Sequence, residues 1–119
     1  MWHFIKRTLL AFAILGLVGL GVALWAYRDI PAAELEAGYA GPTSRFIDID
    51  GVRMHYRDEG TGPVVVLFHA NFSSLIDWDP WVEALKDRYR VVRVDMTSHG
   101  LTGPDPTGDY TLPRTLELT

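Results

Sequence analysis

The chain has 119 residues, 48% of them apolar, with no cysteine and a formal net charge of −4. That length holds one small domain at most, and the lack of thiols excludes disulfides, thiolate metal sites and cysteine nucleophiles. Residues 1–28 carry Lys6, Arg7 and Arg28 without any acid (net +3), whereas the rest carries 8 basic and 15 acidic side chains (net −7). This excludes a uniformly basic nucleic-acid binder, because most of the chain repels phosphate.

Thr8–Tyr27 is a run of 20 residues without formal charge. As a helix rising ~1.5 Å per residue it spans roughly 30 Å, the depth of a bilayer core, and satisfies its own backbone groups there. Lys6 and Arg7 precede the run, and Asp29, Glu34 and Glu36 follow it. The positive-inside rule then predicts a cytoplasmic amino terminus, with the remainder on the periplasmic or extracellular side. Trp25 and Tyr27 suit the far interface, and Trp2 suits the near one. A cleaved signal peptide and a soluble core helix are the alternatives. The run is longer than a usual signal-peptide core, and no small-x-small cleavage site comes before Arg28. Residues 1–28 therefore read as a signal-anchor, with residues 8–27 in the lipid bilayer.

Residues 29–43 read as a linker punctuated by Pro31, Gly38, Gly41 and Pro42, with one helical turn over Ala32–Ala37 and domain contacts through Leu35 and Tyr39. Ser44–Ile49 and Val52–Arg57 are strands joined at Asp50-Gly51, a two-residue turn favoured because glycine accepts positive φ. Alternation places Val52, Met54 and Tyr56 on one face and Arg53, His55 and Arg57 on the other. Asp58–Gly62 turns into Pro63–Phe68, whose unbroken apolar run predicts a strand covered on both faces. After the loop 69–74, Asp79 as N-cap and Pro80 at the first helical position open a helix to about Asp87, with Trp81, Val82, Leu85 and Tyr89 at helical spacing. Arg90–Asp95 is the next strand, Met96–Asp109 a loop, and Thr111 caps a final helix. The fold class is α/β: a hairpin plus a parallel βαβ unit with a right-handed crossover. One complete helix cannot cover both faces of such a sheet, so residues 44–119 read as the front of a larger domain.

Chemistry in open α/β sheets sits at the tips of parallel strands. Two tips exist, His69–Ser74 and Asp95–Gly103. The first suits backbone amides offered to an anion ahead of a helix. Gly60-Thr61-Gly62 is too short for a dinucleotide cradle and precedes its strand. Asp95 and His99 read either as an acid–base pair or as loop residues. Asp95 more often holds loop amides, and His99 packs near the same cleft. His55 is expected to be surface or structural. The four histidines have no metal-ligand spacing, so neither metal nor cofactor is predicted. None of Ser44, Ser73, Ser74 and Ser98 stands in a G-x-S-x-G elbow.

The string from Asp50 to Gly60, together with Val64–Phe68, His69, Trp78 and Asp95–Gly100, resembles the start of the α/β-hydrolase superfamily, from about Phe46 onward. The resemblance implies that His69-Ala70 stands at the family's His-Gly position and that the backbone N–H of Asn71 gives half of an oxyanion hole. It also implies that His69, Ala70, Phe72, Asp95, His99 and Gly100 organise loops near the cleft, and that the nucleophile, triad acid and triad histidine all come later than Thr119. Ala70 stands where the family has glycine, Ser98 replaces the first glycine of the second loop, and Thr97 stands where proline is common. A residue other than glycine at a positive-φ position costs about 1 kcal/mol or more. The implied activity is hydrolysis of a small apolar ester-like substrate by a membrane-anchored serine hydrolase whose triad lies outside these residues. One alternative is a haloalkane dehalogenase-like or epoxide hydrolase-like enzyme with an aspartate nucleophile. Asn71 occupies the halide-holding asparagine position of dehalogenases, but Phe72 departs from their usual proline. The other is a non-catalytic, membrane-anchored binding or degenerate protein.

Overall fold

The computed structural model describes all 119 residues, which divide into two units, Met1–Pro31 and Ala32–Thr119. The first is essentially one helix, α1 (Trp2–Ala26), none of whose residues is buried. By length and composition it is sufficient to cross a membrane.

The second unit opens with a helix inside the expected linker, α2 (Ala32–Tyr39), two residues longer than the sequence suggests. Beyond it, the Asp50-Gly51 turn fixes the strands on either side. Both residues have positive φ (50° and 81°), the combination a type I′ hairpin needs. It pairs β1 (Ser44–Ile49) antiparallel with β2 (Val52–Glu59), placing Ile49 opposite Val52 and Phe46 opposite His55. Two further strands, β3 (Val64–Phe68) and β4 (Arg90–Val94), pair with each other in parallel, and β4 pairs antiparallel with β2. The sheet order is β1-β2-β4-β3. A 3₁₀ turn (Leu75–Trp78) leads into α3 (Asp79–Leu85), and the chain ends in α4 (Leu112–Glu117).

One sheet face carries Val52 and Met54, closed by Leu118 just after α4, with Ile49 and Val94 packed alongside. The other carries His55, Arg93 and Asp95, with Leu75 and Val82 from the 3₁₀ turn and α3 also buried. Four expectations are corrected. β3 is not covered on both faces: Val64, Val66 and Phe68 are exposed, because no element packs over them. Asp79 is not an N-cap. Its position is already helical, Trp78 precedes it as the cap residue, and the Asp79 carboxylate pairs with Arg93 instead. Thr111 does stand at the α4 N-cap, but its hydroxyl makes no capping bond, and Trp81 lies exposed despite its helical spacing.

Candidate active site

β3 and β4 run parallel, so their carboxyl ends deliver the loops that begin at His69 and Asp95 to one rim. The loops are then tied by hydrogen bonds. The backbone N–H of Met96 donates to His69 Nε2 at 3.0 Å, which leaves the proton on Nδ1 to reach the carbonyl of Ala70 at 2.8 Å. Both ring nitrogens are used, and His69 is buried. Its ring also lies 5.1 Å from that of His99, whose Nδ1 donates to the Thr97 carbonyl at 2.9 Å. His69 and His99 therefore shape the loops.

Asp95 is the hub of this arrangement. Its side chain accepts the N–H of Leu75 at 2.8 Å, the N–H of Leu101 at 3.0 Å and His55 Nδ1 at 2.7 Å. Burial alone pushes this carboxyl up, but the His55 hydrogen bond and the two amides outweigh it and hold Asp95 below the ordinary carboxylate range. Gly100, at φ 52°, lies so close that a Cβ there would overlap the Asp95 carboxylate. The His55–Asp95 pair is what the sequence does not reveal. Forty residues separate the partners. The only local signal is alternation in β2, which sets His55 opposite the Met54 core face.

The line continues outward, since His55 Nε2 lies 2.8 Å from Ser44 Oγ. A serine, a histidine and an aspartate thus stand in the relative order of a catalytic triad. Ser44 Oγ, however, also accepts the N–H of Gly41 at 3.0 Å and Arg57 Nε at 3.2 Å. With its proton given to His55, both acceptor positions of the hydroxyl are occupied and no lone pair is left to attack a carbonyl. The line ties β1 to the rim; it does not supply a nucleophile.

Asn71 stands exposed at the tip of the first loop, and no hydrogen bond within the protein uses its backbone N–H. A hollow of about 450 Å³ opens beside it, lined by His69, Ala70, Phe72, Ser73 and Trp78 among others. A smaller one, about 180 Å³, is shared by Asn71 with Met96, Thr97 and His99. Trp78 contributes a buried indole N–H with no partner, an unmet donor costing about 1–3 kcal/mol.

The departures at glycine positions separate. Ala70 has an ordinary negative φ, whereas Ser98 is held at φ 61°. Ser98→Gly is expected to raise stability by up to about 1 kcal/mol, the left-handed strain relieved less the entropy glycine loses, read as a higher urea midpoint. Phe72 stands at φ 59° with its ring fully exposed, a conformation closed to proline, whose ring fixes φ near −65°.

No protein-family profile matches the chain. Among curated proteins it is 34% identical over 65 residues to the 2-(acetamidomethylene)succinate hydrolase of Mesorhizobium japonicum, covering 55% of this chain and 23% of that protein. It is 41% identical over 59 residues to haloalkane dehalogenase 2 of Mycobacterium bovis, covering 50% of this chain and 21% of that one. Among solved structures, a bacterial membrane phospholipase A is similar with a TM-score of 0.61 at 25% identity, over 95% of this chain and 38% of its own. The chain thus spans between a fifth and a quarter of the length of these two curated relatives.

Proposed function

Since the mixed-sheet unit of this chain belongs to the α/β-hydrolase superfamily and matches its amino-terminal part, we propose that it is the front portion of a membrane-anchored serine hydrolase acting on small apolar esters. In this reading the Asn71 amide is one of two donors to the oxyanion of a tetrahedral intermediate. His69, Asp95 and His99 hold it in place, and a serine, an acid and a histidine outside residues 1–119 perform acyl transfer. The supporting observation is the free Asn71 N–H at a rim locked by the Met96–His69 and Leu75–Asp95 bonds. Losing one such donor costs ~3 kcal/mol of transition-state stabilisation.

Residues 1–28 act as the anchor, with the amino terminus cytoplasmic. The likeness to a membrane phospholipase A extends over 95% of the chain and so takes in most of this segment. Protease protection combined with intact-mass measurement tests this: the anchor is retained and residues 32–119 are digested only from the non-cytoplasmic side.

The identity to a haloalkane dehalogenase over 59 residues favours a second reading, with an aspartate nucleophile and Asn71 holding halide. Phe72 at φ 59° weighs against it, since the proline usual in dehalogenases cannot adopt that turn. Sequencing the coding region past the Thr119 codon decides between them. A serine in a strand-to-helix elbow supports the first reading, an aspartate followed by tryptophan the second, and no elbow overturns both. The purified chain itself is expected to show no saturable burst with p-nitrophenyl esters; a burst would place a nucleophile within residues 1–119.

A further inference from the structure

α2 lies against the sheet unit without a single buried residue. It is held by polar ties: Glu36 pairs with Arg53, and the Tyr39 carbonyl accepts Arg57 Nη2 at 3.0 Å. Beneath it, two hollows flank the half-buried Leu35. One of about 190 Å³ is bounded by Leu35, Tyr39, Ile76 and Leu101, with Ser74 and Asp95 in its wall. The other, about 180 Å³, continues past Gly100, Leu101 and Pro104. A helix tethered at its flank over unfilled apolar space differs from an ordinary packed helix, whose apolar face closes the gap.

We propose that the first hollow is a binding site for a small, neutral, mostly apolar molecule of about the size of phenol, roofed by α2. An enclosed apolar cavity of ~150 Å³ takes up benzene, and this hollow, open on one side, offers a comparable volume with a mostly apolar lining. Its polar wall has little to offer water. Asp95 already accepts three donors, and both His55 nitrogens are engaged. The Ser74 hydroxyl is the polar group placed to orient a ligand. Charge sets the class: an anion would face the Asp95 carboxylate at close range, and a cation would give up its hydration to a mostly apolar wall whose carboxylate already accepts three donors, so the ligand is neutral. Asn71 does not line this hollow, which His55 of β2 does, and the site does not depend on the hydrolase reading.

The test uses the full chain in lipid nanodiscs with methyl-labelled leucine and isoleucine, titrated with phenol and, separately, with benzoate. Phenol is expected to shift the Leu35, Ile76 and Leu101 methyl signals saturably, and benzoate to bind at least tenfold more weakly. Leu35→Trp, which fills the hollow, is expected to weaken phenol at least tenfold while the Leu118 signal stays in place. Ser74→Ala is expected to weaken phenol several-fold and leave toluene unchanged. Linear, non-saturating shifts, or equal shifts from benzoate, would overturn the site. So would undiminished phenol binding in a folded Leu35→Trp chain. If that variant loses its Leu118 signal, the phenol–benzoate comparison on the unaltered chain decides alone.

Discussion

Asp95→Ala is expected to cost the sheet unit about 4 kcal/mol, enough to remove most of the stability of a small domain. The figure comes from what the substitution strands. The N–H groups of Leu75 and Leu101 and the His55 ring proton all point at the carboxylate, and each buried donor left unmet costs about 1–3 kcal/mol. Urea unfolding followed by tryptophan fluorescence reads the loss as a lower midpoint. Asp95→Asn is expected to recover less than half of it, because asparagine keeps one acceptor but turns an amide N–H₂ toward the remaining donors. An unchanged midpoint would mean that water replaces Asp95 freely. A pH dependence follows with a definite sign. The folded-state carboxyl is held below its ordinary value, so Asp95 contributes fully above about pH 4 and progressively less as pH falls through the depressed value. Asp105 behaves alike: the Thr107 hydroxyl, then Arg114, lower it to about 2. The Asp95→Ala variant should therefore lose only part of its acid sensitivity.

Arg93→Ala is the second large effect, expected near 3 kcal/mol. Arg93 is a buried cation on a central strand. Its Nε meets Glu59 at 2.9 Å, its Nη1 meets the Leu75 carbonyl at 3.0 Å, and it also pairs with Asp79. Removing one partner of a buried ion pair costs about 3–5 kcal/mol, chiefly through the charge left behind. Asp79 is half exposed and rehydrates, but Glu59 is mostly covered, so the lower end applies. Arg93→Lys should rescue little, because an ammonium lacks the forked donors that reach three acceptors at once. Combining Arg93→Met with Glu59→Gln should cost less than the sum of the single changes; strict additivity would show that the pair is not coupled.

How much of this was legible in the sequence depended on distance along the chain. The Asp50-Gly51 hairpin and the β3 and β4 runs are decided by neighbours and stand where the residues placed them, and Pro80 lies in the first turn of α3, one residue further in than its spacing suggests. The two tips were legible as loops that share a rim, since parallel strands end on the same side. The role of His55 was not, because a histidine on an alternating strand looks the same whether it faces water or a carboxylate from a remote strand. Asp79 misled for a related reason. Aspartate before proline is a sound local cap signal, but a buried arginine on β4 competes for the same carboxylate and wins. β3 misled in the opposite sense, because an apolar run announces burial but not which neighbour provides it.

β3 has a neighbour only on its β4 side, and Val64, Val66 and Phe68 stand exposed along it. An edge of that kind, with open backbone donors and acceptors beside a greasy stripe, is a template for any extended chain that meets it. Produced by itself, this polypeptide will therefore compete between folding and sticking to its own copies. Dilution, rather than heat or denaturant, becomes the variable that governs whether it stays dispersed.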